Sequence, residues 1–271
     1  MTATLADAET QIRNGDPEAA LQALSAAVRA DPANARLRVF LFQLLCVLGD
    51  WKRALAQLKL CGEMDAAALP MAYAYREAIL CEAFREDVFA GTRQPLISGA
   101  PADWVAWLLR AGEARGAGRP DEAAALRERA FAEAPAVAGT LNGTPFSWIA
   151  DADSRLGPVF ELILTGSYYW VPVTAIRRLT AEPPADLRDF VWMPCIVTFA
   201  AGGETPALMP ARYPGTATHG SKAQKLSRAT DWTDLGGNSY AGLGQRILTT
   251  DTAEFPLLEL RELVLEAPAD G

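Results

Sequence analysis

The chain has 271 residues, of which 50% are hydrophobic and 21% are charged, and its formal net charge is −8. This length and composition allow two packed domains, and no apolar run reaches the roughly 18 residues that a membrane-spanning helix needs. Both halves are acidic, so neither has the positive field that nonspecific nucleic-acid binding requires. The N-terminus shows no secretory signal. We therefore expect a cytoplasmic protein without nucleic-acid or membrane partners.

An internal repeat organises the first half of the chain. The segment Gly15–Leu21 recurs 34 residues later as Gly49–Leu55, and a third copy follows at Gly118–Ala124. Thirty-four residues is the period of the tetratricopeptide repeat. In each of the first two copies, glycine can end one helix in the left-handed conformation and the aspartate after it can cap the next helix. We predict a short helical-repeat array with helices near 2–14, 17–30, 34–48, 51–62, 68–90, 101–117 and 119–133.

The predicted helix 68–90 departs from the repeat signature. It carries a row of apolar residues on one side: Leu69, Tyr73, Leu80, Phe84 and Val88. Repeat arrays commonly present a groove for a peptide or a helix, and the alternative is that the helices only support the second domain. Trp104 and Trp107 share one face of a later helix. We favour core packing for this pair, with an exposed position in a groove as the alternative.

From Pro158 onward the hydrophobic periodicity changes to that of β-strands. Two hairpins are predicted, one around Thr165–Ser167 and one around Gly202–Glu204. Pro206 and Pro210 indicate that the last strand of the second hairpin pairs at a sheet edge. The other predicted strands are 175–179, 245–249 and 257–265.

Five to eight short strands in about 110 residues are typical of a small antiparallel barrel or sandwich. The sequence therefore predicts an α+β protein with two domains. Residues 1–140 form a TPR-like helical array, and residues 141–271 form a β-rich domain.

Asp151 and Asp153 are the best candidates for metal binding or catalysis. Two carboxylates two residues apart in a loop can share a divalent ion, although the further ligands of an EF-hand loop are absent. Alternatively, Asp153 can cap a turn or pair with Arg155. We favour a structural or interface role, and a metal-dependent hydrolase that uses Asp151 and Asp153 is the alternative.

No other part of the sequence shows an enzyme motif. Ser154 lacks a G-x-S-x-G elbow, and His219 is the only histidine. We predict no catalytic residue, no metal site and no cofactor. The four cysteines are widely spaced, and we expect them to be reduced core thiols. They are Cys46, Cys61, Cys81 and Cys195.

A polar region follows the second predicted hairpin. Lys222, Lys225 and Arg228 form a modest basic stretch, which we interpret as a solvated loop in preference to an anion site. The glycine-rich strings Gly236-Gly237 and Gly242-Leu243-Gly244 lack the lysine of a phosphate-binding loop, so we interpret them as turns.

The segment Asp151–Glu161 reads Asp-Ala-Asp-Ser-Arg-Leu-Gly-Pro-Val-Phe-Glu. This signature segment resembles the signature of the ImpE family, whose members are also called TagJ or SciE-type proteins. Similar strings occur at 168–172, 188–192, 208–214 and 242–246. The candidate interdomain or interface residues on these strings are Asp151, Asp153, Arg155, Gly157, Pro158, Glu161, Tyr169, Trp170, Trp192, Arg212 and Arg246.

The resemblance implies a cytoplasmic, non-enzymatic accessory protein of a type VI secretion system, a machine associated with virulence. The resemblance also implies that the protein binds an N-terminal helix of the small contractile-sheath subunit. This binding would link the sheath to the ClpV ATPase that disassembles it. A helix held in a groove is a binding mode that a repeat array can provide.

Overall fold

The computed structural model describes residues 4–99 and 102–266, and seven helices occupy the first half. They agree with the predicted helices to within a few residues, and predicted positions 2, 3 and 101 lie outside the described residues. The helices are Leu5–Arg13 (α1), Pro17–Ala30 (α2), Ala35–Leu48 (α3), Trp51–Met64 (α4), Leu69–Phe89 (α5), Asp103–Gly116 (α6) and Pro120–Glu133 (α7).

The repeated Gly-Asp dipeptides set the helix boundaries. Asp16 Oδ1 accepts a hydrogen bond from Ala19 N (3.1 Å), and Asp50 Oδ1 accepts one from Arg53 N (3.2 Å), so each aspartate caps the helix after it. Gly49 has a φ of +74° and ends α3. A Cβ at this position would lie 2.5 Å from Ala217 Cβ, so Gly49 also allows the second half of the chain to approach closely.

Helix α5 exposes the first part of its predicted apolar row and buries the end of it, because Leu69, Tyr73 and Leu80 are exposed whereas Val88 lies in the core. Tyr73 is 67% exposed and Leu80 is 46% exposed. The opposite side of the helix buries the charged residues Glu82 and Arg85. Since charged side chains are almost never buried without partners, this inversion points to a compensated buried site.

Fourteen strands lie in the part of the chain that the structure describes. They are Leu96–Ile97 (β1), Gly139–Leu141 (β2), Thr144–Phe146 (β3), Ile149–Asp151 (β4), Val159–Leu164 (β5), Ser167–Pro172 (β6), Ile176–Ala181 (β7), Trp192–Phe199 (β8), Glu204–Pro210 (β9), Thr230–Gly236 (β10), Ser239–Gly244 (β11), Ile247–Thr250 (β12), Glu254–Pro256 (β13) and Glu262–Leu265 (β14). Two short helices precede β10, Thr216–His219 (α8) and Lys222–Lys225 (α9).

Nine strands form one sheet in the order β1-β6-β5-β9-β8-β7-β14-β2-β3. Among the described residues, its only parallel pair is β1 with β6. Strands β13-β12-β4 form a second sheet, and β10-β11 form a hairpin. The expected sheet-rich second half is confirmed. The expected barrel or sandwich is not, because the two end strands of the large sheet do not pair with each other within the described residues.

The two predicted hairpins are present, as β5-β6 and β8-β9. The prediction that the proline-containing strand lies at an edge was wrong, because β9 lies between β8 and β5. Its pairing with β5 is nevertheless limited to Ile163 with Leu208. Prolines lack the N–H that a ladder needs, so Pro206 and Pro210 restrict this pairing without removing the strand from the sheet interior.

The predicted strand 257–265 begins later than expected. Its first residues form a helical turn at Leu257–Glu259, and the strand itself starts at Glu262. The alternation of apolar and polar residues therefore reflects which side chains are buried here, and it does not indicate a continuous strand.

A continuous hydrophobic core joins the helices to one face of the large sheet. Trp192 is fully buried in it, and its ring lies 5.8 Å from that of Trp51 and 5.9 Å from that of Tyr75. Gln43 Oε1 of α3 accepts a hydrogen bond from Leu187 N at 3.0 Å. Residues 187–192 therefore cover one side of α3 and α5. A second core lies on the other face of the sheet.

Candidate functional site

A cluster of eight charged residues lies where the helices meet the sheets. It contains four arginines and four carboxylates, so its formal charges cancel. Seven of the eight residues are buried, and the Arg155 side chain is 17% exposed. We call this set the interface charge cluster. Its members are Glu82, Arg85, Asp151, Asp153, Arg155, Glu161, Arg212 and Arg246.

Glu161 lies at the centre of the interface charge cluster. Its carboxylate accepts hydrogen bonds from Arg85 Nε (2.5 Å) and Arg85 Nη2 (2.8 Å), and Arg246 Nη1 lies 3.1 Å from Oε2. The Tyr168 hydroxyl donates to the same carboxylate. Burial alone would raise the pKa of Glu161, but the Arg85 and Arg246 guanidinium groups outweigh it and leave the pKa below its usual value.

Asp151 at the end of β4 is the second partner of Arg246. Arg246 Nε and Nη2 donate to Asp151 Oδ2 at 2.9 and 2.6 Å, and the Tyr213 hydroxyl donates to Oδ1 at 3.0 Å. Burial, with a smaller contribution from the nearby Asp153, raises the pKa of Asp151 to about 6 against the opposing effect of Arg246. The pKa values of the two carboxylates that pair with Arg246 therefore shift in opposite directions, because Glu161 faces two arginines and Asp151 faces one.

Asp153 is buried and forms the turn of the signature segment. Its Oδ1 accepts from Arg155 N at 2.9 Å, and its Oδ2 accepts from Gly242 N at 2.9 Å. The Arg155 guanidinium pairs with both oxygens and lies 4.9 Å from the centre of the Phe89 ring of α5. The turn therefore contacts both the β10-β11 hairpin and the long helix.

Arg212 has a different role, because it makes no hydrogen bond to a carboxylate within the described residues. Its guanidinium donates to Val47 O (2.7 Å) and Cys46 O (3.3 Å) at the end of α3, and to Lys225 O (2.7 Å). Free carbonyls at a helix C-terminus attract a cation. Burial lowers the pKa of Arg212 to about 10, with Glu82 opposing, so the side chain stays charged at neutral pH.

Gly157 and Pro158 complete the signature segment. Gly157 has a φ of +56°, and a Cβ there would lie 2.3 Å from Cε1 of Phe131 in α7. Pro158 O accepts from Val173 N at 3.0 Å. The chain thus changes direction at a point where α7 packs directly against its backbone.

The remaining candidate residues lie around the cluster or away from it. Trp192 Nε1 donates to Glu82 Oε1 at 2.8 Å, and Trp170 Nε1 donates to the Tyr168 hydroxyl at 2.8 Å. Tyr169 faces the other side of its strand and packs on the second core.

The tryptophan pair of α6 divides between the core and the surface. Trp104 is buried in the core. Trp107 is half-buried, with the Arg129 guanidinium 3.8 Å from its ring centre and its Nε1 donating to Glu133 at 3.2 Å. These two contacts of Trp107 are with α7, and the guanidinium of Arg110 in α6 lies 5.1 Å from the same ring centre, so this side chain joins two neighbouring helices.

An open groove lies beside α5, on the part of the sheet that the helices leave uncovered. Its volume is about 670 Å³, and its walls are mostly apolar. We call it the α5–sheet groove. Its lining includes Tyr73, Glu77, Glu182, Pro194, Ile196 and Pro206.

Comparison with known proteins agrees with the resemblance seen in the sequence. The family model described as "ImpE protein" matches residues 143–264, and a tetratricopeptide-repeat model matches residues 11–74. The type VI secretion system accessory component TagJ of Pseudomonas aeruginosa is 51% identical over 264 residues, which cover 97% of this chain and 92% of the relative. The chain belongs to the ImpE family.

The ImpE architecture recurs in a solved structure. The crystal structure of protein VPA1032 from Vibrio parahaemolyticus superimposes with a TM-score of 0.86 at 28% identity. The alignment covers 96% of this chain and 97% of the Vibrio chain. The helical array and the sheets therefore share one arrangement across proteins whose sequences have diverged widely.

The interface charge cluster includes residues that the ImpE resemblance did not single out. These are Glu82 and Arg85 of α5. Tyr168 and Tyr213, whose hydroxyls donate to the cluster, lie on the matching strings 168–172 and 208–214. The available signal was the three-residue spacing of Glu82 and Arg85, which places them on one side of an otherwise apolar helix stretch. Their partners are distant in sequence, so this spacing alone did not distinguish a buried pair from an exposed one.

The basic stretch of this ImpE chain is exposed at Lys222 and Arg228, as a solvated segment would be. It begins with the short helix α9 and is not a loop throughout. Lys222 Nζ lies 2.7 Å from Asp16 Oδ2, and Arg228 Nη2 donates to Ile12 O at 2.9 Å. These side chains connect the region after β9 to α1 and α2. Gly242 and Gly244, which were expected in turns, lie within strand β11. A Cβ on Gly242 would lie 2.2 Å from the Tyr213 ring.

The chemistry of the cluster is that of structural ion pairs. Each oxygen of Asp151 and Asp153 accepts hydrogen bonds from arginine, tyrosine or backbone N–H groups. A divalent ion would have to displace these donors, and no group of three metal-binding side chains occurs in residues 4–99 and 102–266. No observation favours the hydrolase. The same described residues contain no helix long and apolar enough to cross a membrane.

Proposed function

We propose that this chain is a non-enzymatic accessory protein of a type VI secretion system. It binds an N-terminal helix of the small contractile-sheath subunit and links the sheath to disassembly by the ClpV ATPase. The observation that carries the proposal is the 51% identity, over 97% of the chain, to a protein named as an accessory component of such a system. We place its action in the cytoplasm.

The distribution of charged and apolar groups supports an adaptor. The interface charge cluster uses its carboxylates and guanidinium groups internally, which stabilises the contact between helices and sheets. By contrast, apolar side chains such as Tyr73 and Ile196 are exposed. Exposed apolar groups on a rigid helix and sheet suit protein recognition. We treat residues 1–140 and 141–271 as the helical and sheet parts of one adaptor, joined by the shared core.

The first test is direct binding of a sheath peptide. A fluorescent peptide spanning the N-terminal helix of the small sheath subunit is titrated with the purified full chain, and anisotropy is recorded. We expect saturable binding with a Kd of about 100 μM or tighter, a range that covers weak but specific complexes. A peptide of the same composition in scrambled order is the control. Equal signals from the two peptides, or none from either at these concentrations, would contradict sheath binding.

The second test concerns the link to ClpV. The chain, the small sheath subunit and ClpV are mixed and separated by size-exclusion chromatography. We expect the chain to co-elute with the sheath subunit and to increase the amount of ClpV in that fraction. An unchanged amount of ClpV would restrict the function to sheath binding.

A further inference from the structure

Three arginines from separate segments line a small pocket between the last two long helices and the signature segment. Arg115 lies in the last turn of α6, Arg127 lies in α7, and Arg155 lies in the signature segment. The other lining residues are apolar and include Phe89 and Trp170. We call this site the three-arginine pocket. Since buried charges need partners, the groups that already pair with each arginine decide what the pocket can bind.

Arg127 is buried, with 4% of its surface exposed, and it pairs with no carboxylate within the described residues. Its Nε donates to the Ser239 hydroxyl at 3.1 Å. Neither Nη1 nor Nη2 donates to an acceptor of the described chain, and neither is among the fully enclosed polar atoms that lack a partner. A guanidinium has five N–H donors and keeps its charge at neutral pH. Most donors of Arg127 are therefore available to an anion that enters the pocket.

The charges around the pocket are predominantly positive. Arg115 is exposed and makes no ion pair within the described residues. Burial and then the charge of Arg155 lower the pKa of Arg115, and burial and then Arg115 lower the pKa of Arg127. Asp153 opposes both shifts, but its oxygens already accept hydrogen bonds from Arg155 and from Gly242 N. Three positive charges thus face one negative charge, which leaves a local net charge of +2.

A phosphate group matches the pocket in charge and in size. A phosphate monoester carries a charge of about −1.5 to −2 at neutral pH, which is close to the opposite of the local charge. The planar fork of a guanidinium can donate two parallel hydrogen bonds to phosphate oxygens. The free volume of the pocket is about 20 Å³, somewhat more than a single water molecule needs. The pocket therefore admits one small group and excludes the body of a larger ligand.

The basic stretch after β9 is less suited to an anion, because the protein itself uses its charges. Lys222 pairs with Asp16, and Lys225 lies 3.6 Å from a carboxylate oxygen of Glu18. Arg228 donates to the backbone carbonyl of Ile12 at 2.9 Å. Carboxylates balance the two lysines there, whereas Arg115 and Arg127 have no such partner within the described residues.

We propose that the three-arginine pocket binds a phosphate group, either as the free ion or as the end of a small phosphorylated ligand. Arg127 donates from the buried side, Arg115 donates from α6, and Arg155 adds its charge while it stays paired with Asp153. The bound phosphate connects α6, α7 and the signature segment, at the place where the helices meet the sheets. The site adds a ligand to the adaptor and does not change its protein partner.

Isothermal titration calorimetry with inorganic phosphate tests the site in the purified full chain, at constant pH and ionic strength. We expect one phosphate per chain with a Kd of about 1 mM or tighter. Arg115→Ala should weaken binding roughly tenfold or more, because it removes charge-assisted hydrogen bonds. Arg119→Ala is the matched control, since Arg119 is also exposed but pairs with Glu122 and does not line the pocket. The absence of saturable binding, or equal affinities of the two variants, would overturn the proposal.

Two further variants test whether the phosphate lies in the pocket. Arg127→Gln removes the buried cation, and a melting curve checks that this variant is folded. Gly112→Leu keeps all three arginines and fills the space, because Gly112 lines the pocket and a Cβ there would meet no atom within 4 Å. Each variant should bind phosphate roughly tenfold more weakly or worse. Unchanged affinity in Gly112→Leu would place the phosphate elsewhere and refute the site.

Titrations with glycerol 3-phosphate and acetate define the ligand. Tighter binding of glycerol 3-phosphate than of inorganic phosphate would identify a small phosphorylated molecule as the ligand, and weaker or equal binding would identify the free ion. Both results support a phosphate site. Acetate should bind at least about tenfold more weakly than phosphate, because it carries a single charge. Equal affinities for acetate and phosphate would show a carboxylate site and overturn the assignment.

Discussion

The two sides of helix α5 lie in opposite environments. Its buried side places Glu82 and Arg85 in the interface charge cluster, and its exposed side presents Tyr73 to the α5–sheet groove. At 100° per residue, Tyr73 and Glu82 are half a turn apart. The usual distribution of a surface helix, apolar inside and charged outside, is thus reversed along part of its length.

This contrast separates the stability of the fold from recognition of a partner. Family-signature residues such as Asp151, Glu161 and Arg246 are buried and paired with one another. The groove is built from apolar and acidic residues, of which the signature segment supplies none. We infer that the signature identifies the way in which helices and sheets are joined, whereas the partner is chosen by residues outside it. The predictions below test this separation.

The largest effect is expected for Arg246→Ala. This substitution leaves Asp151 and Glu161 sharing a buried site without their common cation, and breaking a buried pair typically costs about 3–5 kcal/mol. Urea denaturation at neutral pH measures the loss. Arg178→Ala is the control, since its pair with Glu262 is exposed and should contribute less than about 1 kcal/mol. Equal losses in the two variants would mean that the cluster does not stabilise the interface.

The helices were largely predictable from the sequence because their signals are local. The Gly-Asp dipeptides end one helix and cap the next within a few residues, so their 34-residue period sets most helix bounds. Hairpin β5-β6 was predictable for the same reason, because Thr165 and Gly166 take positive φ values in a two-residue turn. Strand order in the large sheet depends on pairings between distant segments, which no local pattern encodes.

The charge cluster was predictable only in part. The family resemblance named six of its eight members as interdomain or interface candidates: Asp151, Asp153, Arg155, Glu161, Arg212 and Arg246. The burial of Arg85 was not predicted from the sequence, because its partner Glu161 is 76 residues away and a helical arginine is usually exposed. The buried side of α5 therefore depends on tertiary pairing, and sequence periodicity alone assigned no partner to Arg85.

The second prediction concerns pH. The pKa of Asp151 is raised to about 6 by burial, so the folded state favours the protonated form. The stabilisation from this group is complete below about pH 4 and is lost as pH rises through 6. A shift of about two units corresponds to at most about 3 kcal/mol. The stability of the unaltered chain should therefore fall, relative to Asp151→Asn, between about pH 4 and 7.

Two measurements check this behaviour. Denaturation of both proteins across the pH range gives the difference in stability, and NMR titration of the Asp151 carboxyl carbon gives its midpoint directly. The contribution of Glu161 to stability has the opposite pH dependence. Because the pKa of Glu161 is lowered in the folded state, its contribution is lost as pH falls. The two contributions are separated by their pH ranges, because the pKa of Glu161 lies below its usual value and that of Asp151 is raised to about 6. A midpoint near 4 for Asp151 would contradict the role of burial.

The third prediction tests packing at the same interface. Gly242→Ala forces a Cβ to within 2.2 Å of the Tyr213 ring, whose hydroxyl holds Asp151. Overpacking of this kind costs about 1–3 kcal/mol. Gly112→Ala is the matched control, because no atom lies within 4 Å of the added Cβ and the site is helical. We expect the control to be stabilised by up to about 1 kcal/mol. A stable Gly242→Ala protein would show that Tyr213 can move freely.

The smallest effect on stability is expected on the groove side of α5. Tyr73→Ala removes a side chain that is 67% exposed, so urea denaturation should show a change within about 0.5 kcal/mol. Tyr75→Ala, two residues away, removes a buried ring that contacts both Phe42 and Trp192, and should cost about 3–5 kcal/mol.

If the partner helix contacts this exposed side of α5, Tyr73→Ala nevertheless weakens peptide binding. A variant with unchanged stability and reduced binding is the signature of a recognition surface, because a purely structural residue would change both together. A large loss of stability in Tyr73→Ala would instead show that the exposed side of α5 also stabilises the fold.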